Sequence, residues 1–185
     1  MSATTATLKP QAVFFDRDGT LIRHVPYLHD PADVTLLPGV REALARLQSS
    51  AIRMFLFTNQ SGVGRGLFTM ADVEAVNRRM VELLDLGAEP FTGICIAPEV
   101  PDGPTLYRKP SPRYIHEMLS LHGIAAEAAW MIGDSPVDWA AGMAAGVRTA
   151  AIVNADGQRS DPAAPQPVGV ALYPDVNAWA ADVVP

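Results

Sequence analysis

Apolar residues fall along this chain in two alternating rhythms. Short, mostly apolar runs occur at Val13-Phe14-Phe15, Ile52–Phe57, Ile94-Cys95-Ile96, Ala128–Ile132 and Thr149–Val153, each closed by polar or turn-forming residues. Runs of this length and composition predict buried strands. Between them the spacing widens: Val40, Ala43, Leu44 and Leu47 follow i, i+3, i+4, i+7, and Val73, Val76, Met80 and Leu84 make a second such stripe. Those intervals predict amphipathic helices. Thr69 with Asp72 three residues on is a capping box at the start of the second. Ser111 as N-cap, Pro112 at the first helical position and Gly123 past the end punctuate another helix. Ser135-Pro136 opens one more, closing at Gly146, and a last edge strand (Val168–Leu172) precedes a short helix near Trp179. Regular β-α alternation predicts an open α/β fold, a mostly parallel sheet with helices on both faces. A single domain is expected over residues 1–185, with a flexible tail at 1–10 and a surface loop at 154–167.

Composition narrows the setting. At 185 residues, 49% of them hydrophobic, the chain can bury the core of one ordinary domain. No stretch approaches the roughly 18 continuous apolar residues of a membrane span, so no membrane partner is expected. Met1–Pro10 is Ala/Thr-rich without an apolar core, so no signal peptide is expected. The one cysteine, Cys95, excludes an internal disulfide and fits a cytoplasmic location. A net charge of −6 argues against a broad nucleic-acid footprint. It leaves room for a small anionic substrate held by a local group of cations.

The residues that carry chemistry stand where the strands end. The first run stops at Asp16 and Asp18, which flank Arg17 and precede Gly-Thr. The second stops at Thr58, Lys109 closes the loop after the third, and Asp134 follows the fourth. A buried carboxylate is costly without a cation or hydrogen bonds, so both early aspartates belong just past the strand, at the mouth of the sheet. In an open parallel sheet such positions converge on one crevice. Carboxylates, a hydroxyl and a lysine together suit Mg²⁺, which prefers hard oxygen ligands, and a phosphoryl group that needs its charge neutralised. One carboxylate there can attack phosphorus. Another, two residues on in an extended strand, points to the same side, where it can protonate the leaving oxygen and then activate water.

DRDGT, TNQ, the lysine of RKP and GDSPVD, in that order, resemble the four motifs of the haloacid-dehalogenase superfamily of phosphatases, and the likeness spans Ala12 to Val153. It implies a nucleophile at Asp16 and a general acid/base at Asp18, with Thr58 and Lys109 binding the transferring phosphoryl group. It further implies Mg²⁺ held by Asp16, the backbone carbonyl of Asp18, and Asp134, with Asp138 in support. DRDGTLI, Pro26-Tyr27-Leu28, Leu37-Pro38-Gly39-Val40, TNQSGVGRG and RKP resemble more narrowly the subfamily IIIA heptose-1,7-bisphosphate 7-phosphatases and the related histidinol-phosphate phosphatases. That resemblance implies no large cap domain, Asn59 and Gln60 lining the site, Arg65 and Arg108 reaching a distal phosphate or sugar hydroxyls, and a monomer. One departure stands out. Those families carry a zinc loop before RKP with a Cys-x-His and a Cys-x-Cys pair, whereas the loop here reads CIAPEVPDGPTLYRKP, with Cys95 as its one thiol. One thiolate cannot build a tetrahedral zinc site, so no zinc is expected.

Plainer readings stand beside these. Ser135-x-x-Asp138 is itself a capping box. SGVGRG serves equally as a connector. His24 and His29 read as exposed loop residues, Cys95 as a buried strand residue, and Trp130, Trp139 and Trp179 as packing. The leading expectation is Mg²⁺-dependent hydrolysis of a small phosphomonoester, a sugar bisphosphate such as D-glycero-D-manno-heptose 1,7-bisphosphate. Histidinol phosphate is one alternative; its amine calls for an acidic pocket that Glu99 and Asp102 could supply. A polynucleotide 3′-phosphate is another, set back by the absence of a basic stripe. A non-hydrolytic, receiver-like phospho-binding domain is the third, and Asp18 counts against it because receivers lack an acid/base two residues after their acceptor.

Overall fold

In the computed structural model, which describes residues 9–153 and 168–184, β1 (Ala12–Phe15) lies at the centre of the sheet. The expected tail up to residue 8 and the expected surface loop at 154–167 lie outside the described residues. Val13 and Phe15 point to one face of the sheet, Ala12 and Phe14 to the other, and all four are fully buried. A strand apolar on both sides needs helices over both faces, which is the arrangement found. The remaining strands are β2 (Arg53–Asn59), β3 (Gly93–Ala97), β4 (Ala129–Gly133), β5 (Arg148–Ile152) and β6 (Ala171–Tyr173). All pairings are parallel, in the order β3-β2-β1-β4-β5-β6.

On one face Phe15, Leu56 and Ile132 pack beneath α1 (Val40–Ser49), α3 (Met70–Leu84) and α6 (Val176–Val183). On the other, Phe14, Phe55, Phe57 and Met131 pack beneath α4 (Arg113–His122) and α5 (Pro136–Ala144). Phe14 stacks on Phe55 with ring centroids 4.7 Å apart. The two stripes expected of α1 and α3 are the buried ones, and the capping box of α3 forms: the Thr69 hydroxyl accepts from the Asp72 amide, while the Asp72 carboxylate accepts from the Thr69 amide.

Four local expectations are corrected. Ser111 is not the N-cap of α4; Pro112 is, because the Ser111 hydroxyl donates back to the Leu106 carbonyl and helps close the preceding loop. The last strand begins at Ala171, since Val168 is exposed and Gly169, at φ +83°, turns the chain before extension starts. Ser61–Gly64 of SGVGRG forms one helical turn, α2, pressed against the Phe68 ring so closely that a Cβ on Gly62 would lie 2.1 Å from it. Finally, β1 stops at Phe15, and Asp18 does not share its extended geometry. The amides of Leu21 and Ile22 donate to the Arg17 carbonyl, so the chain turns tightly immediately after Asp16. Asp18 reaches the crevice by that turn and not by strand alternation.

Candidate active site

The strand order places β2 and β3 on one side of β1, and β4, β5 and β6 on the other. Chain direction across the sheet therefore switches between β1 and β4, and the crevice beyond their carboxyl ends is where open α/β sheets bind ligands. Asp16 follows β1, its amide donating to the Ile132 carbonyl of β4, and Asp134 follows β4 itself. Asp16, Asp134 and Asp138 are all buried, and each offers one carboxylate oxygen within 4.8 Å of the others. Lys109, 1% exposed, sits among them: its Nζ lies 2.5 Å from Asp16 Oδ1 and 2.6 Å from Asp138 Oδ1, and donates to the Phe57 carbonyl at 2.7 Å.

These contacts set the charges. Burial raises the Asp16 carboxyl well above its ordinary range; Lys109 opposes that rise, while Asp138, Asp134 and Asp18 add to it. Burial pulls the Lys109 ammonium down, but Asp138 and Asp16 outweigh it and hold the group above its usual value. One cation among several carboxylates leaves an excess of negative charge in a dry place. Hard oxygen donors in that state fit a divalent cation such as Mg²⁺. The turn after β1 leaves the required closeness: Gly19 has φ +85°, and a Cβ there would lie 2.3 Å from Asp134 Oδ2. Asp138 also holds the start of α5, its Oδ2 accepting from the Ser135 amide and hydroxyl while Oδ1 faces Lys109. The capping reading of this residue is its Oδ2 contact with Ser135, and its Oδ1 pairs with Lys109.

Asp18 stands apart from the three-carboxylate group. Arg17 Nε donates to its Oδ2 at 3.0 Å and Arg17 Nη2 to its Oδ1 at 3.3 Å. Gln60 Nε2 donates to Asp18 Oδ2 and to the Thr58 hydroxyl, both at 2.9 Å. Asp18, His24 and Asn59 line two cavities at once. One, of about 180 Å³, also contains Asp16, Lys109, Asp134 and Asp138; the other, of about 290 Å³, is walled by Tyr27, Gln60 and Phe68 among others. Asp18 thus lies on the border between a phosphoryl-sized chamber and a larger one.

Of the residues expected to meet substrate, Asn59 uses both ends of its amide on Lys109, accepting from its backbone N–H at 2.9 Å and donating to its carbonyl at 3.1 Å. It positions the lysine. Arg108 donates to the Glu99 carbonyl at 3.1 Å, and Arg65 is exposed; neither lines the two cavities. Burial lowers the Arg108 guanidinium from its ordinary value, and the nearby Arg65 cation adds to that effect. Glu99 turns inward, its Oε1 accepting from the amides of Leu106 and Tyr107 at 3.0 and 2.8 Å. Arg17 and Asn77 were not expected at the site. Asn77, a polar residue on the apolar face of α3, was the available signal.

A family model described as haloacid dehalogenase-like hydrolase matches residues 19–152. A D-glycero-beta-D-manno-heptose-1,7-bisphosphate 7-phosphatase of Helicobacter pylori is 34% identical over 140 residues, covering 75% of this chain and 80% of its own. A probable D-glycero-D-manno-heptose-1,7-bisphosphate 7-phosphatase of Thermoplasma acidophilum is 37% identical over 129 residues, covering 69% and 79%. The crystal structure of D,D-heptose 1,7-bisphosphate phosphatase from B. bronchiseptica, complexed with magnesium and phosphate, superposes with a TM-score of 0.84 at 27% identity, covering 94% of this chain and 97% of that one. With the crevice at the β1–β4 switch point and these relatives in agreement, the chain belongs to the haloacid dehalogenase-like hydrolases.

Proposed function

We propose that the chain is a Mg²⁺-dependent phosphatase that hydrolyses a small phosphomonoester through an aspartyl-phosphate on Asp16, with a heptose 1,7-bisphosphate as substrate. The observation that carries this reading is Asp18's position, shared by the chamber holding Asp16 and Lys109 and by the larger one beside it. An Asp16 carboxylate oxygen forms the bond to phosphorus as the bond to the ester oxygen breaks, and Asp18 gives its proton to that departing oxygen. Asp18, now a base, takes a proton from water as the water oxygen bonds to phosphorus. The acyl-phosphate bond breaks, and inorganic phosphate and free Asp16 result. Thr58 and Lys109 hold the phosphoryl oxygens, and Lys109 keeps positive charge at the nucleophile throughout. Asp16, the Asp18 carbonyl and Asp134, with Asp138 in support, would hold Mg²⁺, which would supply positive charge for the crowded carboxylates and the phosphate.

The heptose bisphosphate phosphatases of H. pylori, T. acidophilum and B. bronchiseptica to which the chain is similar support the sugar bisphosphate. Arg65 and Arg108 line neither cavity, so they would serve a distal phosphate where the substrate extends beyond the larger one. The histidinol-phosphate reading draws on Glu99 and Asp102 for its amine; Glu99 Oε1 instead accepts from two backbone amides, and exposed Asp102 lines neither cavity, which counts against it. The reading includes no zinc and no nucleic acid, and a cytoplasmic monomer. Cys95 is the one thiol the sequence offers a tetrahedral zinc site, and no helix among the described residues is long and apolar enough to cross a membrane.

Phosphate release from heptose 1,7-bisphosphate, other sugar phosphates, histidinol phosphate and a 3′-phosphorylated oligonucleotide, with and without Mg²⁺, tests it. Mg²⁺-dependent turnover of the heptose bisphosphate above the rest, abolished by Asp16→Asn, is expected. Preference for another substrate would reject the sugar assignment, and release unaffected by Asp16→Asn would reject the mechanism.

A further inference from the structure

Asn77 breaks the pattern of the helix that carries it. The inward positions of α3 are Val73, Val76, Met80 and Leu84, and Asn77 is buried among them, 5% exposed. An amide in an apolar stripe is costly unless bonded. Its Oδ1 accepts from Arg17 Nη1 at 2.9 Å, across 60 positions of sequence. Arg17 is itself fully buried, and its other donors, Nε and Nη2, engage both oxygens of Asp18. A guanidinium is a rigid planar fork, so fixing one nitrogen at Asn77 fixes the directions of the others. Gln60 holds the same carboxylate from the β2 side. The Asp18 carboxylate is therefore oriented from two elements, α3 through Arg17 and β2 through Gln60, at the border of the two cavities.

We propose that Asn77 is a positioning residue for the acid/base: it locks the Arg17 guanidinium, and Arg17 keeps the Asp18 carboxylate aimed where the leaving oxygen departs and water enters. This inference rests on the phosphatase reading above. Its consequence depends on the leaving group. An alkoxide needs its proton in the transition state, so misaiming Asp18 slows the first step for a sugar phosphate. A nitrophenolate leaves without one, so the first step with p-nitrophenyl phosphate is spared and the slowing falls on dephosphorylation.

The test compares Asn77→Leu, of similar shape but with no acceptor, and Asn77→Asp, which keeps an oxygen for Arg17. Both are assayed on heptose 1,7-bisphosphate and p-nitrophenyl phosphate. For Asn77→Leu we expect kcat on the heptose bisphosphate to fall about tenfold or more with KM within about twofold, the scale of a displaced catalytic group. With p-nitrophenyl phosphate the first turnover stays near wild type and a burst precedes slower steady release. Asn77→Asp should restore both. Equal losses of first-turnover rate on the two substrates, or no rescue by Asn77→Asp, would overturn the inference. If Asn77→Leu does not fold, Arg17→Lys carries the same test, because an ammonium cannot span Asn77 and both oxygens of Asp18. Asp18→Asn separates the failures. If it leaves turnover intact, the acid/base reading itself falls; if it abolishes turnover while Asn77→Leu is silent on both substrates, only the role of Asn77 falls.

Discussion

Lys109 places its ammonium against Asp16, Asp138 and the Phe57 carbonyl, with almost no solvent contact. Removing one side of a buried ion pair leaves uncompensated charge and costs about 3–5 kcal/mol. Lys109→Met, which keeps most of the volume, is therefore expected to lose about that much stability at pH 7 in urea unfolding. The loss should shrink as pH falls below 7, because Asp16, already raised by burial and by its carboxylate neighbours, takes up a proton more readily than a free carboxylate and relieves the excess. A deficit under about 1 kcal/mol at pH 7 would show that the ammonium serves substrate and not the folded state. Asp138 makes a related point. Its sequence context permits a helix cap, and two oxygens on one side chain let it cap α5 and pair with Lys109 at once.

Among the elements, the loop joining β3 to α4 has no regular secondary structure, yet it delivers Lys109. Glu99 closes it through the amides of Leu106 and Tyr107, and Tyr107 ties it to α4 by donating to Glu117, while Arg113 lies 5.3 Å over the Tyr107 ring. Burial opposes ionisation of Glu99, but hydrogen bonds from the loop backbone prevail and hold its carboxyl below the usual range. A depressed carboxyl contributes stability that is complete above its unfolded value, about 4.3, and is lost as pH falls through the lower folded value. Hydrogen-exchange protection of the Leu106 and Tyr107 amides should thus hold at pH 6 and drop below about pH 4, before the β1 amides lose theirs. Simultaneous loss in loop and strand would mean that the Glu99 contacts are not what closes this loop.

At the level of the whole molecule, the crevice exists because β1 feeds β2 on one side and the chain later crosses to β4 on the other. That crossing brings Asp16 and Asp134, 118 positions apart by their numbers (134 − 16), to adjacent strand ends. A cation bound there by the folded state alone stabilises it by mass action, about 2.7 kcal/mol at a hundredfold excess over Kd. Mg²⁺ should therefore raise Tm by several degrees for the wild type and much less for Asp134→Asn, read by differential scanning calorimetry. Equal shifts in the two proteins would place the cation elsewhere.

Strand and helix order, the two-faced sheet and the residues at the strand ends follow from the sequence by itself, because hydrophobic period and capping chemistry are local properties. Asp16, Thr58 and Asp134 could be singled out since each ends or follows an apolar run, and Lys109 since it closes the loop after one. Only the tertiary structure decided how Asp18 is reached, that Asn59 holds the Lys109 backbone, that Glu99 faces into its own loop, and that Asn77 on α3 meets Arg17 behind the site. Those contacts join residues as far as 60 positions apart. Their geometry depends on where a tight turn aims a side chain and how closely a helix packs on a sheet, and no local pattern encodes either.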